Sequence, residues 1–344
     1  MSSRAPIAVL GGGSFGTVVA NMVAEKGIEA RLWVRNSEAA DAINQTRENA
    51  RYVPGYRLLR GVKATSDLET ALSGAAMIFV AIPSSAFRSV IHQAKPFIQA
   101  DQPLISTTKG IEASTFSLMS QILEEELPGH AIGVLSGPNL AKEIAKRELT
   151  ATVVASRDAA LRRAVQDLLQ APYFRVYAAE DTYGVELAGT LKNIYAIAAG
   201  MAASMGVGEN TRAFLITRSL AEMSRLADSM GANPMTFLGL AGVGDLIVTC
   251  TSALSRNYRV GYALGEGKSL DQVVAQLGEV AEGVNTLKLV HEHSQQSEVY
   301  MPIVRGLYSV VFEGAPVVEV VSEFMASVQS SDVEFTLPHE TAGC

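Results

Sequence analysis

The chain has two cysteines in 344 residues, Cys250 and Cys344, far apart in sequence. That is no disulfide framework, and it points to a reducing, cytoplasmic home. Histidine is sparse too, at five. His291 and His293 stand two apart and cannot share a helix face, and no His/Cys cluster has metal spacing, so no metal site is expected. Basic residues are outnumbered, 28 Lys+Arg against 35 Asp+Glu, and the net charge of -7 argues against nucleic acid as a principal partner. The first residues, Met1 to Pro6, carry no cationic-then-apolar pattern, so no secretory leader is expected. The longest weakly polar stretch, Ile194 to Gly208, is short for a membrane span and consists mostly of Ala, Gly and Met. It reads as a buried helix, so no stable membrane insertion is expected. Internal repeats and low-complexity tracts are absent.

What is present is a core: 48% of the residues are hydrophobic, and the length suits two domains. Strand-like runs recur at Ala5–Leu10, Glu29–Val34, Ala76–Ile82, Pro103–Thr107, Ala131–Leu135, Ala151–Ala155 and Phe174–Tyr177. Helical patterns at Ser14–Lys26, Glu38–Asn44 and Ser114–Glu126 alternate with them. Such alternation predicts an α/β fold, a Rossmann-type doubly wound, mainly parallel sheet. Beyond Ala179 the texture changes to helices joined by Gly-rich turns. The expected boundaries are a dinucleotide-binding domain at 1–179, an all-helical substrate domain at 180–330 and a flexible tail at 331–344.

The first strand ends in Gly11-Gly12-Gly13-Ser14-Phe15-Gly16, and a helical pattern follows. This is G-x-G-x-x-G between a strand and a helix. Gly11 would make the tight turn, Gly13 would admit a pyrophosphate to the backbone, and Gly16 would let helix pack on strand. The positive helix end then holds the diphosphate. NAD binders carry an acid at the end of the second strand for the ribose hydroxyls; here Arg35-Asn36 stands there. Arg35 could pair with a 2′-phosphate through its planar fork of donors, which favours NADP(H). The alternative is a solvated arginine.

Three later segments carry chemistry. Lys192 is the only charged residue between Glu186 and Glu209, in a stretch of Leu, Ala, Gly and Met. A helix with almost no polar face is buried, and desolvation lowers a lysine pKa toward the range of proton transfer. The competing reading is a lysine snorkelling to the surface. Asn193 follows it, able to hold the lysine or the substrate. In Gly239 to Cys250 the sole acid is Asp245. The segment closes with Ser255-Arg256-Asn257, where a Ser N-cap would open a helix and Arg256 would join its amides as a phosphate site; a cap with a surface arginine is the plainer alternative. Thr108-Lys109-Gly110 follows a strand at the sheet edge where ligands of open sheets bind. Lys109 there could polarise a carbonyl or steady a phosphate, or be a solvated turn lysine. Cys250 has no identifiable base beside it and reads as a small core residue.

These residues, with Asn49-Ala50-Arg51-Tyr52-Val53-Pro54-Gly55, Ser136-Gly137-Pro138, Ala141-Lys142-Glu143, Leu191-Lys192-Asn193, Gly242-Val243-Gly244-Asp245 and Val280-Ala281-Glu282-Gly283, make a pattern covering nearly the whole chain. The chain resembles the bacterial NAD(P)-dependent glycerol-3-phosphate dehydrogenases. The resemblance implies interconversion of dihydroxyacetone phosphate and sn-glycerol 3-phosphate by hydride transfer with NADP(H), NAD(H) being a second cofactor, in a homodimer that supplies phospholipid synthesis. It implies Lys192 as the proton donor and acceptor at the C2 oxygen. Lys109, Gly137, Asn139, Asp245, Ser255, Arg256 and Asn257 are implied as the substrate shell, although position 139 is more often a hydroxyl residue in the family. Ser14, Phe15, Arg35, Ala141, Val280 and Glu282 are implied as cofactor contacts, with Lys109 and Arg256 touching both ligands. Two other readings compete. A lysine-dependent ketoacid or sugar-acid reductase would share the plan but need no phosphate site, and a catalytically silent NADP(H) sensor would need no lysine inside an apolar helix.

Overall fold

The computed structural model describes residues 5–277 and 281–326. Val280 and the segment 331–344 lie outside the described residues. Strand β1 (Ile7–Leu10) runs into α1 (Ser14–Glu25), β2 (Ala30–Trp33) into α2 (Ser37–Thr46) and β3 (Val62–Thr65) into α3 (Leu68–Leu72). Next come β4 (Met77–Val80), α4 (Ser84–Ala94), β5 (Leu104–Ser106), α5 (Met119–Glu126), β6 (Ile132–Ser136), α6 (Ala141–Ala145), β7 (Thr150–Ala155), α7 (Ala159–Leu169) and β8 (Phe174–Ala179). The eight strands form one sheet in the order β3-β2-β1-β4-β5-β6-β7-β8. Every neighbouring pair is parallel except β6 with β7. The order reverses direction between β1 and β4, which is where open α/β sheets bind ligands at their carboxyl edge.

Strand side chains alternate between faces. Val9 packs with Val18, Val19 and Val165 beneath α1 and α7, whereas Ala8 and Leu10 pack with Phe87, Ile91 and Ile122 beneath α4 and α5. Both faces are therefore covered, as a parallel sheet requires.

The remainder is helical: α8 (Thr182–Ser204), α9 (Glu209–Ser229), α10 (Asp245–Thr251), α11 (Arg256–Gly265), α12 (Leu270–Leu277), α13 (Glu282–Gln296), α14 (Pro302–Tyr308) and α15 (Val317–Ala326). Every residue of α8 from Gly184 to Ile197 is buried, the expected consequence of a helix apolar on all sides. Helix α11 lies directly on α8. A Cβ on Gly261 would stand 1.8 Å from the Ile197 carbonyl oxygen, and one on Gly200 would stand 2.0 Å from that of Tyr258. Among the described residues no helix is long and apolar enough to cross a membrane.

Three local expectations need correction. The buried helix expected over Ile194 to Gly208 ends at Ser204, and Met205, Gly206 and Gly208 are exposed. Strand β3 is absent from the sequence-based strand set: it has four residues at the sheet edge, with Lys63 exposed, and leaves little apolar signal. The helix expected from Ser114 starts at Met119. Residues 111–118 instead fold back, with an Ile111–Leu118 bridge and Phe116 at φ 60. The Gln121 side chain accepts the Leu118 N–H at 2.8 Å and so caps the helix where it begins.

Candidate active site

The glycine-rich turn connects β1 to α1 at the point where strand order reverses. Gly11 has φ +115, and a Cβ there would fall 2.3 Å from the Ala81 carbonyl oxygen; one on Gly16 would fall 2.0 Å from that of Gly11. Gly13 is different: a Cβ there would meet nothing within 4 Å. The space above it is open, and the first amides of a helix have no intrahelical partners. Regular bonding in α1 begins with the Thr17 N–H donating to the Gly13 carbonyl at 3.0 Å. This cradle fits a dinucleotide diphosphate, with donors from the backbone and room above them. Asn49 fixes the turn from outside, donating to the Gly12 carbonyl and to Thr17 Oγ1, both at 2.8 Å. Ser14 donates to the Tyr52 carbonyl at 3.0 Å, Phe15 is half-buried against the sheet core, and Arg35 is exposed just beyond β2.

Farther along the carboxyl edge, the two lysines singled out above meet one carboxylate. Lys192 is 5% exposed and Asp245 1%. Lys192 Nζ donates to Asp245 Oδ1 and, at 2.7 Å, to Thr249 Oγ1. Lys109, half-buried in the loop after β5, donates to Asp245 Oδ2 at 2.6 Å and reaches the Gly137 carbonyl at 3.4 Å. Asp245 is the first residue of α10, one turn before Thr249, whose hydroxyl in turn donates to the Asp245 carbonyl at 2.6 Å. Two lysine side chains thus share one buried carboxylate. Burial pushes the Lys192 ammonium below its ordinary value, Asp245 pulls it back up, and Lys109 pushes it down again. The snorkelling alternative is excluded by this burial and pairing. Burial also drives the Cys250 thiol up to about 12, in keeping with a core residue.

The helical part contributes α11 and α13. Ser255 is the N-cap of α11, its Oγ accepting the Tyr258 N–H at 3.3 Å, and Arg256 is the first helical residue, exposed. Asn257 is buried and accepts the Gly283 N–H at 3.0 Å. A Cβ on Gly283 would stand 2.6 Å from both the Asn193 carbonyl and Asn257 Oδ1, so α8, α11 and α13 converge at this point. Glu282 accepts the Ser84 N–H at 3.4 Å, linking α13 to the start of α4. Asn139 donates to Thr152 Oγ1 at 2.9 Å, while its Oδ1 and the neighbouring Ser136 hydroxyl are buried without a hydrogen-bond partner. Ala141 opens α6, half-buried against the same core as Phe15.

Family models described as NAD-dependent glycerol-3-phosphate dehydrogenase N-terminus and C-terminus match residues 6–162 and 181–322. The chain belongs to the NAD-dependent glycerol-3-phosphate dehydrogenase family. A glycerol-3-phosphate dehydrogenase (NAD(P)+) of Azotobacter vinelandii is 57% identical over 335 residues, 97% of this chain and 98% of that protein. One from Pseudomonas aeruginosa is 58% identical over 337 residues, with the same coverage. The crystal structure of glycerol-3-phosphate dehydrogenase from Coxiella burnetii superposes with a TM-score of 0.90 at 38% identity, covering 94% of this chain and 99% of that one. A ketopantoate reductase-family protein of Ralstonia eutropha shares the fold at 16% identity and a TM-score of 0.57.

Within this family member, Lys109, Gly137, Lys192 and Asp245 fall into one hydrogen-bonded cluster. Asn193, Asn257 and Gly283 meet beside it. Ser14 and Arg35 belong to the separate glycine-turn region of the same edge. Sequence reasoning misses Thr249. Its signal is the Asp245–Thr249 spacing of four, which sets both side chains on one helix face toward Lys192.

Proposed function

We propose that the protein interconverts dihydroxyacetone phosphate and sn-glycerol 3-phosphate, using NADP(H) with NAD(H) as a second cofactor. The observation that carries this reading is the buried Lys192–Asp245–Lys109 cluster at the sheet edge that also bears the dinucleotide cradle. When bound, the reduced nicotinamide supplies a hydride to C2 of the ketone. Negative charge then grows on the C2 oxygen, and Lys192 Nζ donates its proton there. Burial of that lysine makes the donation easier than from a solvated one, because desolvation already disfavours the ammonium. Asp245 and Thr249 fix the direction of Nζ, which is the positioning that makes proton transfer efficient. Lys109 adds a second positive charge beside the developing oxyanion. In the oxidative direction the neutral Lys192 accepts the hydroxyl proton.

The phosphate is assigned to the start of α11, where Ser255, Arg256 and Asn257 offer helix-end amides and a guanidinium. Gly137, Asn139 and Asn193 complete the substrate shell. Gly11, Gly13, Ser14, Phe15, Gly16, Arg35, Lys109, Ala141, Arg256, Val280 and Glu282 are assigned to the cofactor, with Arg35 on the 2′-phosphate. The domain boundary is assigned near residue 180, between β8 and α8. This reading carries a cytoplasmic location, in keeping with the cysteine usage, and a product consumed in phospholipid synthesis. It also carries a homodimer, in keeping with apolar side chains left exposed on the helical part, among them Phe214 and Tyr262.

The test is loss of reduced-nicotinamide absorbance with dihydroxyacetone phosphate and, separately, with dihydroxyacetone. Turnover confined to the phosphorylated ketone supports the reading. Equal turnover of both would remove the phosphate site, and NADPH binding with no turnover would make the protein a sensor.

A further inference from the structure

Glu186 is a buried carboxylate that the mechanism above does not use. It lies on α8, 2% exposed, six residues before Lys192, or about 9 Å along the helix axis. Among the described residues it forms no ion pair. Its partners sit on the other half of the molecule, in the first turn of α5. The Ser120 N–H donates to Oε1 at 3.1 Å and to Oε2 at 3.2 Å, and the Ser120 hydroxyl donates to Oε2 at 2.5 Å. Burial pushes the carboxyl up to about 7, while the bonds from Ser120 and Met119 pull it back. An apolar pair would join the two surfaces at less desolvation cost. What an apolar pair lacks is direction, because hydrogen bonds to a forked carboxylate fix rotation and depth, whereas hydrophobic contact tolerates sliding.

A second bond acts on the same face of the helix. Thr190, four residues after Glu186, accepts the Gly110 N–H at 3.1 Å through Oγ1, and Gly110 adjoins Lys109. Between them, Gly189 lies so close to β6 that a Cβ would fall 2.3 Å from the Ser136 hydroxyl. This face of α8 is therefore keyed to the nucleotide-binding sheet and its loops, through Glu186 about one turn before Gly189 and Thr190 directly after it.

We propose that Glu186 is a positioning residue for the reaction: by pinning α8 to the first turn of α5, it sets the rotation and depth at which α8 presents Lys192 to the substrate carbonyl. This rests on Lys192 being the proton donor. The nucleotide cradle belongs to the sheet and Lys192 to the helical part, so their relative placement depends on such bonds. A misplacement of about 1 Å can lower a rate a hundredfold, and one residue of helix slip is about 1.5 Å.

The experiment compares Glu186→Leu, Glu186→Gln and Ser120→Ala in the whole protein, with rates expressed per NADPH-binding site. Glu186→Leu is expected to lower kcat for dihydroxyacetone phosphate reduction about 10- to 100-fold. NADPH Kd should stay within about twofold, because the glycine cradle is built from β1 and the start of α1, whereas the bonds of Glu186 go to Ser120 of α5. The deuterium isotope effect with 4-deuterated NADPH should equal or exceed that of the unaltered protein, since the chemical step is the one slowed. Glu186→Gln, which keeps an oxygen for the Ser120 amide and a donor for its hydroxyl, should recover to within about threefold. Ser120→Ala should fall between them, and it carries the test if Glu186→Leu does not fold. A kcat per site within twofold for both Glu186→Leu and Ser120→Ala overturns the proposal, as does a loss accompanied by a smaller isotope effect. Failure of the Lys192 reading shows elsewhere, as retained activity in Lys192→Ala. If that reading holds, adding Glu186→Leu to Lys192→Ala should cost no further rate in the chemical step.

Discussion

Replacing Asp245 by asparagine removes the charge that holds two ammonium groups together and leaves the shape of the side chain. In the intact site, the Asp245 carboxylate raises the proton affinity of Lys192, against burial and Lys109, which lower it. A unit charge pair about 4 Å apart is worth about 4 kcal/mol at an effective dielectric of 20. At about 1.4 kcal/mol per pH unit, losing that pair would lower the Lys192 pKa by up to about 3. Asparagine retains a hydrogen-bond acceptor, so the expected fall is about 1 to 3. Both directions of reaction respond, each through its own limb. Ketone reduction needs the ammonium, so its rate declines as pH rises through the Lys192 pKa. In the variant this decline begins at lower pH, and each pH unit of displacement leaves kcat above it about tenfold lower. Oxidation of glycerol 3-phosphate needs the amine, so its rising limb also moves to lower pH. The assay is kcat against pH in both directions, with thermal unfolding followed in parallel because breaking a buried pair costs about 3–5 kcal/mol. Profiles that stay within about 0.3 pH unit of the unaltered protein, on folded variant, would refute the electrostatic account of Lys192.

Two further substitutions test the ligand assignments. Arg256→Ala should raise KM for dihydroxyacetone phosphate about 10- to 150-fold, the equivalent of one lost charge-assisted bond, and erase its advantage over dihydroxyacetone; an intact preference would remove Arg256 from the phosphate site. NADPH Kd is measured alongside, because Arg256 is also assigned to the cofactor. Arg35→Asp should weaken NADPH binding about 10- to 100-fold and leave NADH unchanged or tighter, an effect that added salt narrows because the side chain is exposed. Equal losses for both cofactors, measured by fluorescence titration, would make Arg35 a structural residue.

The fold is legible in the sequence where periodicity is strong. The strand–glycine–helix start can be read directly, because Gly11 and Gly16 each stand where a Cβ would strike a carbonyl oxygen. Lys192 is legible as an isolated charge in an apolar helix, and the structure places it in the core of α8. Its partner is half-legible. Asp245 stands out as the lone acid among glycines, but its pairing with both Lys192 and Lys109 joins residues 53 and 136 positions apart, which no local pattern encodes. Thr249 and Glu186 escape for the same reason: a threonine within a helix and a glutamate before an apolar run look ordinary until the partner from a distant element arrives. The late start of α5 is hidden because Ser114 to Leu118 has helix-compatible composition, yet the Glu112 carbonyl accepts the Phe116 N–H in a closed turn. The edge strand β3, with four residues and one exposed lysine, is too short for alternation to register.

The central claim is that Lys192 transfers the proton. Lys192→Ala, assayed for kcat with dihydroxyacetone phosphate and for NADPH Kd by fluorescence, tests it most directly. The account predicts a fall in kcat of about a hundred- to ten-thousandfold, the usual span for a lost general acid, with NADPH Kd within about twofold. A variant that keeps a tenth or more of the original kcat would contradict it.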